Sequence, residues 1–107
     1  MWLSAGVGSA QMVGAIPTHV TMGNRLTLGY AKANAIGDNC LTKKGDVIYG
    51  HEFHYSQSTP AGADIVFTTR DGTKKEGFTT ESLFASYLHI HLGSQRHLAK
   101  RFISKCT

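Results

Sequence analysis

Five side chains concentrate the chemistry this chain could perform: His51, Glu52 and His54 in one short stretch, and His89 and His91 in another. Both stretches are otherwise apolar, and a polar group set among apolar ones is costly unless it is paired or used. Imidazole takes up and releases protons near neutral pH. The clusters therefore read as a proton-transfer site, a metal site, or histidines satisfied by hydrogen bonds in the core or at its rim. A zinc-protease helix places two histidines four apart so that both face the ion. His51 and His54 are three apart, and on a strand they point in opposite directions, so no metal ligands are expected. A nucleophilic reaction needs a serine or cysteine in a sharp turn beside a histidine. Cys40 follows Asp38-Asn39, a setting that disfavours a thiolate, and Cys106 falls in the last turn of a terminal helix. The residues alone offer a candidate base without its nucleophile.

The elements that hold these residues follow from periodicity. Over 25–36, Leu26, Leu28 and Tyr30 alternate with Thr27 and Gly29, the period of a half-buried strand. Asp38-Asn39 and Lys43-Lys44-Gly45-Asp46 have turn chemistry. The strand expected over 47–55 puts Val47, Tyr49, His51, Phe53 and Tyr55 on one face and Ile48, Gly50, Glu52 and His54 on the other. A loop at 58–62 leads to a short strand over 65–69, and Asp71-Gly72 suits a tight hairpin whose return arm is 74–78. The apolar run 83–92 carries Ser86, His89 and His91 and reads as a buried strand, although its length alone leaves a helix open. Gly93-Ser94 supplies a break and an N-cap, and Leu98, Phe102 and Cys106 recur every four residues, as in an amphipathic helix over 95–105. Strands with hairpins and a final helix give an α/β domain with a mostly antiparallel stretch.

One domain accounts for 107 residues, of which 41% are apolar and 17% charged. The net charge of +4 is concentrated in Arg96, Lys100, Arg101 and Lys105, with no interleaved aromatic rings for base stacking, so no nucleic-acid partner is expected. Two cysteines far apart in sequence match no disulfide framework and fit reduced thiols in a cytoplasm. The opening segment 1–17 lacks a basic leader, is broken by Gly6, Gly8 and Gly14, and is too short for a bilayer, so neither signal peptide nor membrane anchor is expected. Met1-Trp2-Leu3 begins a hydrophobic run without a cap, as though entered in mid-element.

Gly50-His51-Glu52-Phe53-His54-Tyr55-Ser56 resembles the signature of the amidotransferase domain in cobyrinic acid a,c-diamide synthases. Met12-Val13-Gly14-Ala15-Ile16-Pro17 and Arg25-Leu26-Thr27-Leu28-Gly29-Tyr30 are similar to segments that precede it in that family, and Ala85 to Leu92 is similar to its histidine strand. The resemblance spans nearly the whole chain. It implies a partial, flavodoxin-like class I glutamine amidotransferase domain, its carboxy-terminal portion, with the cysteine elbow just ahead of Met1 and the synthetase domain absent. The parent would release ammonia from glutamine and use ATP and magnesium in an amino-terminal synthetase domain to amidate the a and c carboxylates of cobyrinic acid or a related tetrapyrrole, on the way to cobalamin. The 107 residues alone would be inactive, and a homo-oligomer stays open. His89 matches the histidine that activates the cysteine, while His51, Glu52, His54 and His91 would wall the site. His91 stands where many class I relatives carry a glutamate, a habit of the cobyrinic branch; Lys32 and Leu92 replace the family's frequent arginine and phenylalanine. Two other readings remain open: a non-catalytic interaction or tetrapyrrole-binding module, and a histidine-rich metal-binding domain.

Overall fold

In a computed structural model, which describes residues 1–106, the alternation over 47–55 becomes β4 (Val47–Thr59). It buries Ile48, Glu52 and Ser56 and exposes Tyr49, His51, Phe53 and Tyr55. Its antiparallel partner β3 (His19–Ala35) pairs from His19 opposite Thr59 to Asn34 opposite Val47. Between Met22 and Thr27 the register shifts, so that residues 23–26 oppose Tyr55 alone. This bulge interrupts the two-residue period, which is why periodicity places the strand's start at 25 rather than His19.

β3 organises the sheet. On the edge away from β4 it carries β1 (Gly6–Val7) in parallel near its start and β5 (Ile65–Thr69) antiparallel near its end. β2 (Ala10–Gln11) flanks β1, and β6 (Gly72–Glu76) flanks β5. Thr69 pairs with Gly72, so the tight turn is Arg70-Asp71. The return arm thus starts and ends earlier than 74–78. Among the described residues only β1 and β3 pair in parallel within this sheet, giving the mixed α/β class with a mostly antiparallel stretch.

The run 83–92 is not one strand. After β7 (Phe78–Thr79), β8 (Phe84–Ala85) pairs back on it, the chain bends through residues 86–88, and β9 (His89–Ile90) joins β4. The bend is held by Ser86, whose Oγ accepts the Leu88 N–H at 2.9 Å. Met1 to Ser4 closes one turn, Ser4 N–H donating to Met1 O at 3.0 Å.

Ala33, Ile48, Ile65, Phe67, Leu88 and Leu98 form the core with Cys40 and Leu41. Its only helical member among the described residues, Leu98, comes from α1 (Arg96–Ser104). Phe102, Ile103 and Cys106 are exposed, so the amphipathic stripe expected over 95–105 seats through its first turn alone. Ser94 is not the cap: its hydroxyl donates to His91 O. Gln95 holds the cap position and uses its side chain differently, accepting the Tyr49 N–H and donating to Tyr49 O, both at 2.8 Å. The amide thus substitutes for a neighbouring strand at the edge of β4 and ties the helix to the sheet.

Candidate active site

His89 reaches the sheet through β9, whose backbone lies so close to β4 that a Cβ at Gly50 would stand 2.4 Å from His89 O. Glycine at the head of the heptapeptide therefore has a packing reason: it admits the histidine strand. His51 lies directly opposite His89, and the two rings stack with centroids 4.8 Å apart and planes 26° apart.

The tautomer of His89 follows from its partner. Nδ1 lies 2.7 Å from the Tyr87 carbonyl, which only accepts, so Nδ1 carries hydrogen. In the neutral ring Nε2 then holds the lone pair, and no hydrogen bond engages it among the described residues. Both imidazoles are exposed beside a shallow hollow of about 370 Å³ lined by Leu28, Gly29, Tyr30 and His51. A reacting group approaching from this face would meet a free imidazole nitrogen.

Glu52 and His54 face inward. Glu52 is buried and accepts two hydrogen bonds from Lys74 Nζ at 2.9 and 3.0 Å, while Lys74 lies over the Phe67 ring. His54 sits with Nε2 3.3 Å from Glu52 Oε1, donates from Nδ1 to Ser56 O at 2.8 Å, and stacks on Tyr87 at 3.8 Å. These three groups border a cleft of about 290 Å³ with Ser56, Glu76 and Tyr87. His51 and His54 occupy opposite faces of β4, and no three His, Cys, Asp or Glu side chains among the described residues gather as metal ligands would. His91 lies beyond the end of β9, its ring against Gly93.

Glu76, Tyr87 and Lys74 escaped the sequence reading, and Ser86 entered it only as a polar member of the run 83–92. Their only signal is an uncapped carboxylate before Gly77 and a polar interruption in an apolar run, and no spacing rule joins them. Burial pushes the Glu76 carboxyl above its ordinary range, against the hydrogen bonds from Ser86 and Tyr87 that lower it. Burial likewise raises the Cys40 thiol, the opposite of what a nucleophile needs, and Cys106 lies exposed beyond α1.

Residues 3–97 match the CobB/CobQ-like glutamine amidotransferase domain. Cobyrinate a,c-diamide synthase of Synechococcus sp. is 42% identical over 99 residues, covering 89% of this chain and 22% of that protein. Hydrogenobyrinate a,c-diamide synthase of Streptomyces coelicolor is 35% identical over 99% of this chain, again 22% of the relative. Cobyrinate a,c-diamide synthase of Methanothermobacter thermautotrophicus is 36% identical over 95% of the chain and 24% of the relative. The chain thus spans under a quarter of the length of these relatives. No solved structure matches. A match over so much of the chain, in which the heptapeptide and the histidine strand meet at one point of the sheet, places the chain in the family of CobB/CobQ-like glutamine amidotransferase domains.

Proposed function

We propose that this chain is the carboxy-terminal part of the glutamine-hydrolysing domain of an amidoligase that amidates the a and c carboxylates of cobyrinic acid or its hydrogenobyrinic counterpart, with His89 as the catalytic base. The observation that carries this reading is the Nε2 of His89, oriented from behind by the Tyr87 carbonyl and open on the exposed face. There it would take a proton from a cysteine thiol and later give one to the departing ammonia, as acid–base catalysis in amide cleavage requires. The thiolate would attack the carboxamide carbon of glutamine to form a thioester and expel ammonia; water would then release glutamate. Neither cysteine of this chain suits that part, so the nucleophile is assigned to an elbow preceding Met1, and the 107 residues alone are expected to be inert. ATP and magnesium are assigned to an amino-terminal synthetase domain. The unpaired cysteines accord with a cytoplasmic enzyme, and no helix of the described residues is long and apolar enough to cross a membrane.

Supplying the full-length enzyme with either glutamine or free ammonia separates the two reactions. His89→Ala should lower glutamine-dependent amidation by about 10² to 10⁴-fold, the usual contribution of a positioned acid or base, and leave ammonia-dependent amidation in place. His91→Ala should cost less. Equal loss of both activities in the His89 variant, or a larger glutaminase defect at His91, would overturn the assignment.

A further inference from the structure

The carbonyl that orients His89 belongs to a stretch with no strand partner of its own. Residues 86–88 link β8 to β9 outside both ladders, and a peptide group so placed would ordinarily sample several orientations. Here it is fixed at several points. Glu76 Oε1 accepts the Tyr87 N–H at 2.9 Å, and Glu76 Oε2 accepts the Ser86 hydroxyl at 2.6 Å. The Ser86 oxygen in turn accepts the Leu88 N–H at 2.9 Å, so one carboxylate organises three consecutive residues. On its far side Tyr87 stacks on His54 with planes 12° apart, and its hydroxyl shares a 2.7 Å hydrogen bond with Ser56 Oγ. The ring, the amide and the carbonyl of Tyr87 thus each have a fixed neighbour.

We propose that Glu76 and Tyr87 are positioning residues for His89: the Glu76 clasp aims the Tyr87 carbonyl at Nδ1, which locks the imidazole as its Nδ1–H tautomer and leaves Nε2 to accept a proton. This rests on the reading of His89 as the base but makes a separate claim about what holds it. In a triad the orienting carboxylate selects the tautomer and stabilises the imidazolium that forms. A carbonyl supplies the first effect in full and the second only through its dipole. His91, the sequence neighbour that resemblance puts at the third position, turns its ring to Gly93 instead. The clasp also accounts for a buried carboxylate that no cation contacts directly among the described residues. Bonds to a charged group in a low-dielectric setting are stronger and more directional than the same bonds in water. The heptapeptide enters the same assembly through His54 and Ser56, which hold the ring of Tyr87 from β4.

The test reads the tautomer first, in this chain labelled with ¹⁵N-histidine. Neutral His89 should give the nitrogen shifts of the Nδ1–H form, although free imidazole side chains favour Nε2–H. Glu76→Ala should move His89 toward the Nε2–H form, whereas Glu76→Gln, whose amide oxygen still accepts the Tyr87 N–H, should keep most of the wild-type pattern. Ser86→Ala removes the shared hydroxyl without emptying the carboxylate site and should give an intermediate shift, which keeps the claim open to refutation should Glu76→Ala not fold. In the full-length enzyme Glu76→Ala should lower kcat for glutamine hydrolysis by about tenfold or more with KM for glutamine little changed, the pattern of a misaligned base, and Glu76→Gln should restore most of it. An Nε2–H ring in the wild-type chain, or an unmoved tautomer in both Glu76→Ala and Ser86→Ala, would overturn the proposal. A tautomer that behaves as stated together with a glutaminase indifferent to His89→Ala would leave the clasp standing and remove His89 as the base.

Discussion

Glu76 and Cys40 show how burial separates a working group from a structural one. Burial raises the Glu76 carboxyl above its ordinary range, so the folded chain holds that proton more firmly than the unfolded chain does. Stability from this difference is fully present below the unfolded carboxylate pKa and is lost as pH rises through the raised folded value. Glu76→Gln cannot titrate. The urea midpoint of the wild type, measured against Glu76→Gln, should therefore be most favourable in acid and decline as pH rises; a flat difference across that window would contradict the raised value. Cys40 lies in the core with its thiol pushed up by burial. Cys40→Ala should lower stability by about 1 kcal/mol, the transfer energy of a small apolar group. It should leave glutamine-dependent amidation by the full-length enzyme unchanged, which thermal melts and the amidation assay would check together.

At the level of strands and helix, what could be read from sequence depended on whether a regular period survived. The face assignment on β4 was legible because Ile48 and Glu52 alternate without interruption with Tyr49, His51 and Phe53. The divergence of His51 and His54 followed from it. The start of β3 was hidden by the bulge at 23–26, and the break inside 83–92 by apolar residues that suit a strand, a bend or a core contact equally well. Ser94 looked like a cap because only composition was visible; Gln95 won the position by reaching across 46 residues of sequence to Tyr49. Resemblance singled out His89, whose place opposite His51 the sheet pairing gives, whereas nothing in the sequence singled out Glu76 and Tyr87, which meet through tertiary contacts alone. The β4–β9 approach gives the sharpest test of this level. A methyl at position 50 would press first on the His89 backbone, which cannot turn aside as the neighbouring Leu88 side chain could, so Gly50→Ala should destabilise the fold by about 1–3 kcal/mol, the range for overpacking. It should also speed amide exchange in β9 selectively, as hydrogen–deuterium exchange would report; unchanged protection there would show that the strands part easily.

Across the whole molecule, one face of the sheet is dressed as an interior. Leu28, Tyr30, Tyr49 and Phe53 lie on it in adjacent cross-strand positions, with Tyr30 99% exposed and Leu28 64% exposed. A contiguous exposed apolar patch of this kind favours association. The chain taken alone should self-associate as its concentration rises, and Leu28→Lys with Phe53→Lys should suppress this in sedimentation velocity while changing stability by only about 0.5 kcal/mol per site. Association that persists in the double variant would locate the contact elsewhere. β3 is long for the molecule that holds it. Seventeen residues drawn out flat would measure roughly 56 Å, yet the molecule is 37 Å along its longest axis. β3 therefore cannot run straight along that axis at full extension, and the bulge at 23–26, where four residues oppose one, takes up chain and bends the strand. Bulge and curvature are one feature: shortening β3 there by two residues would keep every side chain on its proper face but remove the slack that the turn consumes. The end carrying β1 and β2 would then be re-aimed relative to the end carrying β5 and β6, and the 3.6 Å hydrogen bond from Ser56 Oγ to Met1 Sδ would be lost.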